Sequence, residues 1–160
     1  MNKLTIIGTT SWGTTLAVVQ ARKGLDVCLW ARTHEMAAEL DSRRENATIL
    51  PGVMFPDNLK VTHSLGRALS DAAAVIFAVQ SQSMRSNAEQ VASHLDRETL
   101  LISAAKGLEL NSNLRMSQVM AEALGVPPSS VCVLSGPNMS NEVARGLPSA
   151  SVVASQRNTL

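Results

Sequence analysis

Residues 3–33 constrain this chain more than any other stretch. Leu4-Thr5-Ile6-Ile7 is a short apolar run of buried-strand type, and it breaks at Gly8-Thr9-Thr10-Ser11-Trp12-Gly13. A helical segment is predicted from Thr14 to Lys23, with Gly24 in the place of a C-terminal cap. Asp26-Val27-Cys28-Leu29-Trp30-Ala31 then reads as a second strand, ending at Arg32. Strand, glycine-bearing turn, helix and strand in so few residues predict two parallel strands joined by a helical crossover. That is the opening unit of a doubly wound α/β sheet.

The turn has a chemistry of its own. A strand that enters a helix through a tight glycine turn aims the helix's free N–H groups, and the positive end of its dipole, above the sheet, where a pyrophosphate suits the field. Gly8 would make the turn and Gly13 would let the helix lie close on the sheet. The middle glycine of the usual G-x-G-x-x-G is here Thr10. Its Cβ is expected to push phosphates outward or weaken the site, while its hydroxyl offers a hydrogen bond to phosphate. Read alone, the turn fits equally a strand-to-helix connection that holds no nucleotide. At the tip of the second strand, where binders of NAD carry Asp or Glu, stand Arg32, Thr33 and His34. An arginine there can pair with a 2′-phosphate or stack on adenine, which favours NADP or tolerance of both cofactors; without the preceding turn Arg32 would read as a solvated surface arginine.

The later strands extend the same pattern. His34–Arg44 has helical spacing, and 45–58 is a breaker-rich connection, long enough to suggest a task. Lys60–His63 is a short strand and Ser64 a cap for Leu65–Leu69. Ala73–Val79 is a continuous apolar strand ending in Gln80-Ser81-Gln82-Ser83. A helix over Met84–Leu95, a strand over Thr99–Ala104 and the tripeptide Ala105-Lys106-Gly107 follow. Met116–Leu124 is a helix closed by Gly125, and Val131–Leu134 a strand ending in Ser135-Gly136-Pro137-Asn138. A short helix, Met139–Ala144, and a last strand, Ala150–Ala154, complete the pattern. Open α/β sheets hold ligands at the carboxyl ends of their strands. Ser11, Arg32, Gln80, Lys106 and Asn138 all fall there. Lys106 can hold a phosphate or polarise a carbonyl oxygen, or can be a solvated loop lysine; Asn138 can be no more than a helix cap.

Composition narrows the classes. The 160 residues suit one domain, predicted over 1–155 with 156–160 as a tail, and a net charge of +1 without a basic run gives nucleic acid or a membrane surface no footing. Aromatic residues make up only 2%, so aliphatic residues and alanine must build the core. Cys28 and Cys132 fall in predicted strands and read as small core residues, neither a disulfide nor a metal pair, in a reducing compartment. The first residues lead straight into a strand, leaving no room for a signal peptide, and no run reaches membrane-spanning length. A cytoplasmic location is the expectation.

Several separated blocks together resemble one family. They are Gly8…Ser11-Trp12-Gly13-Thr14, Leu29-Trp30-Ala31-Arg32, Arg44-Glu45-Asn46 with Leu50-Pro51-Gly52-Val53, and Ala78-Val79-Gln80-Ser81-Gln82. Lys106-Gly107-Leu108-Glu109 and Leu134-Ser135-Gly136-Pro137-Asn138…Glu142-Val143-Ala144 with Gly146-Leu147-Pro148 complete the set. In this order they are similar to the N-terminal domain of bacterial-type NAD(P)-dependent glycerol-3-phosphate dehydrogenases. The resemblance implies a Rossmann-like, mostly parallel sheet with helices on both faces. It also implies reversible hydride transfer between NAD or NADP and dihydroxyacetone phosphate, giving sn-glycerol 3-phosphate for phospholipid synthesis.

Carried over by position, the resemblance makes Gly8, Thr10, Ser11, Trp12 and Gly13 the cofactor turn. Arg32 and Thr33 hold the adenosine end, Lys106 touches cofactor and substrate, Gly136 and Asn138 lie toward the substrate, and Ser140 toward the cofactor. Gln80 stands where the family commonly has proline, and Met139-Ser140-Asn141 where Phe-Ala-Lys is usual. The family's proton-transfer lysine lies in a second, helical domain that has no counterpart in these residues, so this chain is expected to be inactive, or nearly so, alone. A homo-oligomer fits the same expectation. Two other readings stay open: a Rossmann-like scaffold with weak or no cofactor binding, and the cofactor domain of a ketopantoate or 6-phosphogluconate type dehydrogenase.

Overall fold

The structure is a computed structural model and describes residues 3–156. Seven strands form one sheet: β1 Lys3–Ile7, β2 Val27–Trp30, β3 Leu59–Thr62, β4 Ala72–Phe77, β5 Leu100–Ser103, β6 Val131–Ser135 and β7 Val152–Ala154. Their order across the sheet is β3-β2-β1-β4-β5-β6-β7, parallel throughout except for β7, which runs antiparallel to β6. The order reverses between β1 and β4. That reversal is the switch point at which the crossovers leave for opposite faces and open a crevice above the strand ends.

Alternation along the strands divides the core in two. Leu4, Ile6, Leu29 and Ile76 face one side and pack under α1 (Ser11–Arg22), α2 (His34–Arg43) and α6 (Ser140–Ala144). Ile7, Cys28, Trp30, Val75 and Phe77 face the other, under α3 (Leu65–Leu69), α4 (Met84–Ala92) and α5 (Met116–Leu124). Both faces being covered explains why the strands read as unbroken apolar runs. Cys28 and Cys132 are buried and unpaired. Among the described residues no helix is long and apolar enough to cross a membrane.

The elements match the sequence expectation, with bounds shifted by local bonding. Helix α1 begins at Ser11, three residues earlier than Thr14, because Thr10 caps it. The Thr10 Oγ1 accepts from Gly13 N at 3.0 Å, and Thr14 N donates to the Thr10 carbonyl at 2.9 Å. Helix α4 ends at Ala92, not Leu95, in a turn closed by His94 N on Val91 O at 2.9 Å. Strand β7 starts at Val152, not Ala150, because the Ala150 carbonyl is taken by the Asn138 amide at 2.9 Å. Asn138 is therefore not the cap of α6: Met139 holds that position, and Asn138 Nδ2 also donates to Ser149 Oγ at 2.7 Å. The last part of the predicted tail, 157–160, lies outside the described residues.

The long connection 45–58 folds back into the core, burying Leu50, Val53 and Phe55. Its Asn46 is 6% exposed and reaches the glycine turn, donating from Nδ2 to Thr9 O at 3.2 Å and to Thr14 Oγ1 at 3.0 Å.

Candidate functional site

The first turn is built on two glycines. Gly8 has φ +114, a conformation side chains disfavour, and a Cβ there would lie 2.7 Å from Ala78 O. At Gly13 a Cβ would lie 2.1 Å from Gly8 O and 3.3 Å from the Ala78 Cβ, so helix, turn and strand β4 meet with no room for a methyl group. Thr10 needs no glycine conformation, since its φ is −65. Its hydroxyl hydrogen is spent on Ala78 O at 2.7 Å while its lone pair caps Gly13. The hydroxyl that the sequence offered to phosphate thus serves the fold. The amides of Ser11 and Trp12, by contrast, have no acceptor among the described residues and open above the sheet. This is a cradle suited to an anion.

Two grooves meet over the strand ends and share Thr10, Val79 and Gln80. One, about 340 Å³, runs from the turn across Trp30 to Arg32, Ser83 and Asn87. The other, about 180 Å³, runs from Ser11 and Trp12 past Ala104 to Lys106, Asn138 and Ser140. Polar or cationic groups from five separate strand ends, Ser11 after β1, Arg32 after β2, Gln80 after β4, Lys106 after β5 and Asn138 after β6, therefore share one rim, as parallel strands require. Thr33 does not line either groove; its hydroxyl accepts from Met36 N at 3.2 Å and caps α2. The same hydroxyl, after Glu35's own backbone amide, holds the exposed Glu35 carboxyl below the usual range. Two further depressions, about 410 and 580 Å³, lie on the opposite rim, beside Lys3 and Asn58 and beside Asp71 and Asp96. They carry none of the predicted site residues.

Supports hold these groups in place. Lys106 is exposed, and its Nζ donates to Gly136 O at 2.7 Å, joining the loops after β5 and β6. Gly136 is packed so that a Cβ would meet Ala150 O at 2.6 Å. Thr15 Oγ1 donates to Ser140 O at 3.1 Å, tying α1 to the start of α6, and Arg22 Nη1 donates to the Ala144 carbonyl at that helix's other end. Gln80 sits at φ −65, where a proline ring would hold it, so glutamine in that position demands no different backbone.

Sequence reading alone did not single out Gln82, Asn46 and Asn87. Gln82 grips the main chain beyond Lys106 at two points: Nε2 donates to Leu108 O at 2.9 Å, and Oε1 accepts from Leu110 N at 2.9 Å. Arg85 reinforces this loop, with Nε at 2.9 Å and Nη2 at 2.8 Å from the Glu109 carboxylate. The bidentate pair, with a bond from Ser112, holds the Glu109 carboxyl down at about 2. Asn87 had one legible signal: it falls in the Met84-Asn87-Ala88-Val91 stripe, a polar residue in a core-facing row.

Comparison with known proteins settles the family. The family model described as NAD-dependent glycerol-3-phosphate dehydrogenase N-terminus matches residues 3–160. The chain belongs to this family. It is 49% identical over 156 residues to the glycerol-3-phosphate dehydrogenase [NAD(P)+] of Dehalococcoides mccartyi, covering 96% of this chain and 44% of that protein. With the Corynebacterium glutamicum enzyme of the same name it shares 43% over 154 residues, covering 96% and 46%. The crystal structure of a glycerol-3-phosphate dehydrogenase from Coxiella burnetii superimposes with a TM-score of 0.89 at 34% identity, over 98% of this chain and 47% of that one. The chain thus spans about half the length of the glycerol-3-phosphate dehydrogenases it matches, and corresponds to their cofactor-binding portion. The fold expectation, Rossmann-like with a mostly parallel sheet, is met.

Proposed function

We propose that residues 3–156 are the dinucleotide-binding domain of an enzyme that interconverts dihydroxyacetone phosphate and sn-glycerol 3-phosphate, with NADP preferred over NAD. The observation that carries this reading is the single rim at the β1/β4 switch point. There the free amides of Ser11 and Trp12, the cation of Arg32 and the cation of Lys106 line continuous grooves. The α1 amides would take the pyrophosphate, and the glycine cradle would let it approach the backbone. Arg32 would take the adenosine end, and its charge there suits a 2′-phosphate.

A bound nicotinamide supplies the hydride that the carbonyl carbon accepts. The chain's own residues position and polarise. Lys106, standing over Gly136, would orient the phosphorylated ketone and draw electron density toward its oxygen, with Asn138 and Ser140 lining the same groove. Near-attack geometry needs the substrate held from both sides. This domain offers one wall, so reduction of dihydroxyacetone phosphate by the isolated chain is expected to be very slow.

Calorimetric titration of the chain with NADPH and with NADH tests the reading. Binding of both, tighter for NADPH, is the expected result. Binding of neither would move the scaffold reading ahead, and normal turnover by the isolated chain would refute the division of labour.

A further inference from the structure

Arg32 is exposed at the end of β2, and none of the ion pairs among the described residues involves it. Among the described residues its one hydrogen bond runs from Nη2 to Asn87 Oδ1 at 3.4 Å, long for an N–H···O contact. Asn87 is a very different residue: it sits inside α4 and is 2% exposed. Its amide orientation is forced. Nδ2 donates to the Ser83 carbonyl at 2.6 Å, and a carbonyl can only accept, so the oxygen must face the guanidinium.

We propose that Asn87 is a specificity-determining positioning residue, a buried neutral acceptor that keeps the Arg32 guanidinium over the groove with its charge unspent, so that an adenosine 2′-phosphate is selected. The inference rests on the cofactor-binding reading above. Neutrality and weakness are both needed. A carboxylate at the same place would form a charge-assisted bond and satisfy the cation internally. An apolar side chain would leave the guanidinium without its tether and would take from the Ser83 carbonyl one of its two side-chain donors, leaving only the Ser86 hydroxyl at 3.1 Å. A long bond to a neutral oxygen holds the side chain's direction, yet leaves most of its five N–H groups to the ligand. Asn87 and Arg32 line the same groove, on elements 55 residues apart, so the pairing is a product of the fold.

The test is calorimetry on the full chain with NADPH and NADH, using adenosine 2′,5′-bisphosphate against 5′-AMP to isolate the phosphate. Asn87→Asp is expected to lower the NADPH-to-NADH affinity ratio about tenfold or more, since it turns a free cation into a paired one. In an Arg32→Gln background the same change should alter the ratio less than about twofold, because the charge it acts through is gone. Asn87→Asp places a carboxylate beside the Ser83 carbonyl. Should it fail to fold, Asn87→Ser serves instead, with an expected ratio loss of about two- to fivefold that again vanishes with Arg32→Gln. Equal losses for both cofactors, an unchanged ratio, or a loss that persists without Arg32 each overturn the proposal while leaving cofactor binding intact. A parent chain that binds neither cofactor overturns both.

Discussion

Replacing Thr10 with valine keeps the shape and the β-branch and removes one oxygen. That oxygen makes two bonds, accepting from Gly13 N at 3.0 Å and donating to Ala78 O at 2.7 Å. Loss of the helix cap costs about 1 kcal/mol. Loss of the bond to Ala78, a residue 3% exposed at the end of β4, costs about 1 kcal/mol more. In a chain of this length about 2 kcal/mol lowers the melting temperature by roughly 4–8 °C. Thr10→Ser retains both bonds and loses only a half-buried methyl group, so it should melt within about 2 °C of the parent. Differential scanning calorimetry on the three proteins, with urea unfolding as a second measure, reads the effect directly. A valine variant that melts within a degree of the parent, or a serine variant as damaged as valine, would refute the assignment of the hydroxyl to the fold.

Asn46→Ala should destabilise by about 1–3 kcal/mol, because it strands the Thr9 carbonyl and the buried Thr14 hydroxyl, and urea midpoints will measure it. Asn46→Asp should be worse than alanine, since it sets a carboxylate oxygen against that carbonyl. A pH effect follows from Glu109, whose carboxyl is held at about 2 against an ordinary 4.5, first by Arg85 and then by Ser112. A depressed acid stabilises above its unfolded value and loses that contribution as pH falls through its folded one. Hydrogen-exchange protection at the Leu110 and Asn113 amides is therefore expected to hold down to about pH 4.5 and to decline between there and 2. Arg85→Met should remove most of that pH dependence, leaving the smaller part owed to Ser112; an identical profile in the variant would count against the pair.

The sheet was legible because both its faces are covered, which turns each strand into an apolar run that needs no knowledge of its neighbours. Helices α3 and α5 were legible to the residue: Ser64 caps one, its Oγ accepting from Arg67 N, and Gly125 closes the other at φ +66. The rim of the site followed from topology, since parallel strands put all their carboxyl ends on one side. The bond from the Thr10 hydroxyl to Ala78 was not legible because the two residues lie 68 apart, and no local pattern announces a bond across that distance. Thr33 and Asn138 show the same limit from the other side. Both were expected at the ligand, and both spend polar atoms on the chain itself, one on α2 and one on the segment before β7. Gln82 was legible only as one of the polar residues 80–83 at a strand end, and Asn87 only as a polar residue in a core-facing helical row; what each one grips depends on partners far off in sequence.

The grip of Gln82 on residues 108 and 110 has a consequence for how such a site can drift. Its two bonds go to a carbonyl and an amide of the main chain, which every residue but proline supplies. Leu108 and Leu110 are 52% and 69% exposed, so nothing in the core dictates their side chains either. Selection can therefore rewrite the outer surface of this loop almost freely, trading apolar for charged residues, while the segment that carries Lys106 stays anchored. The burden of keeping that anchor falls on the Gln82 amide together with the Arg85–Glu109 pair, and substitutions at 82 should be as damaging as those at 108 and 110 are forgiving.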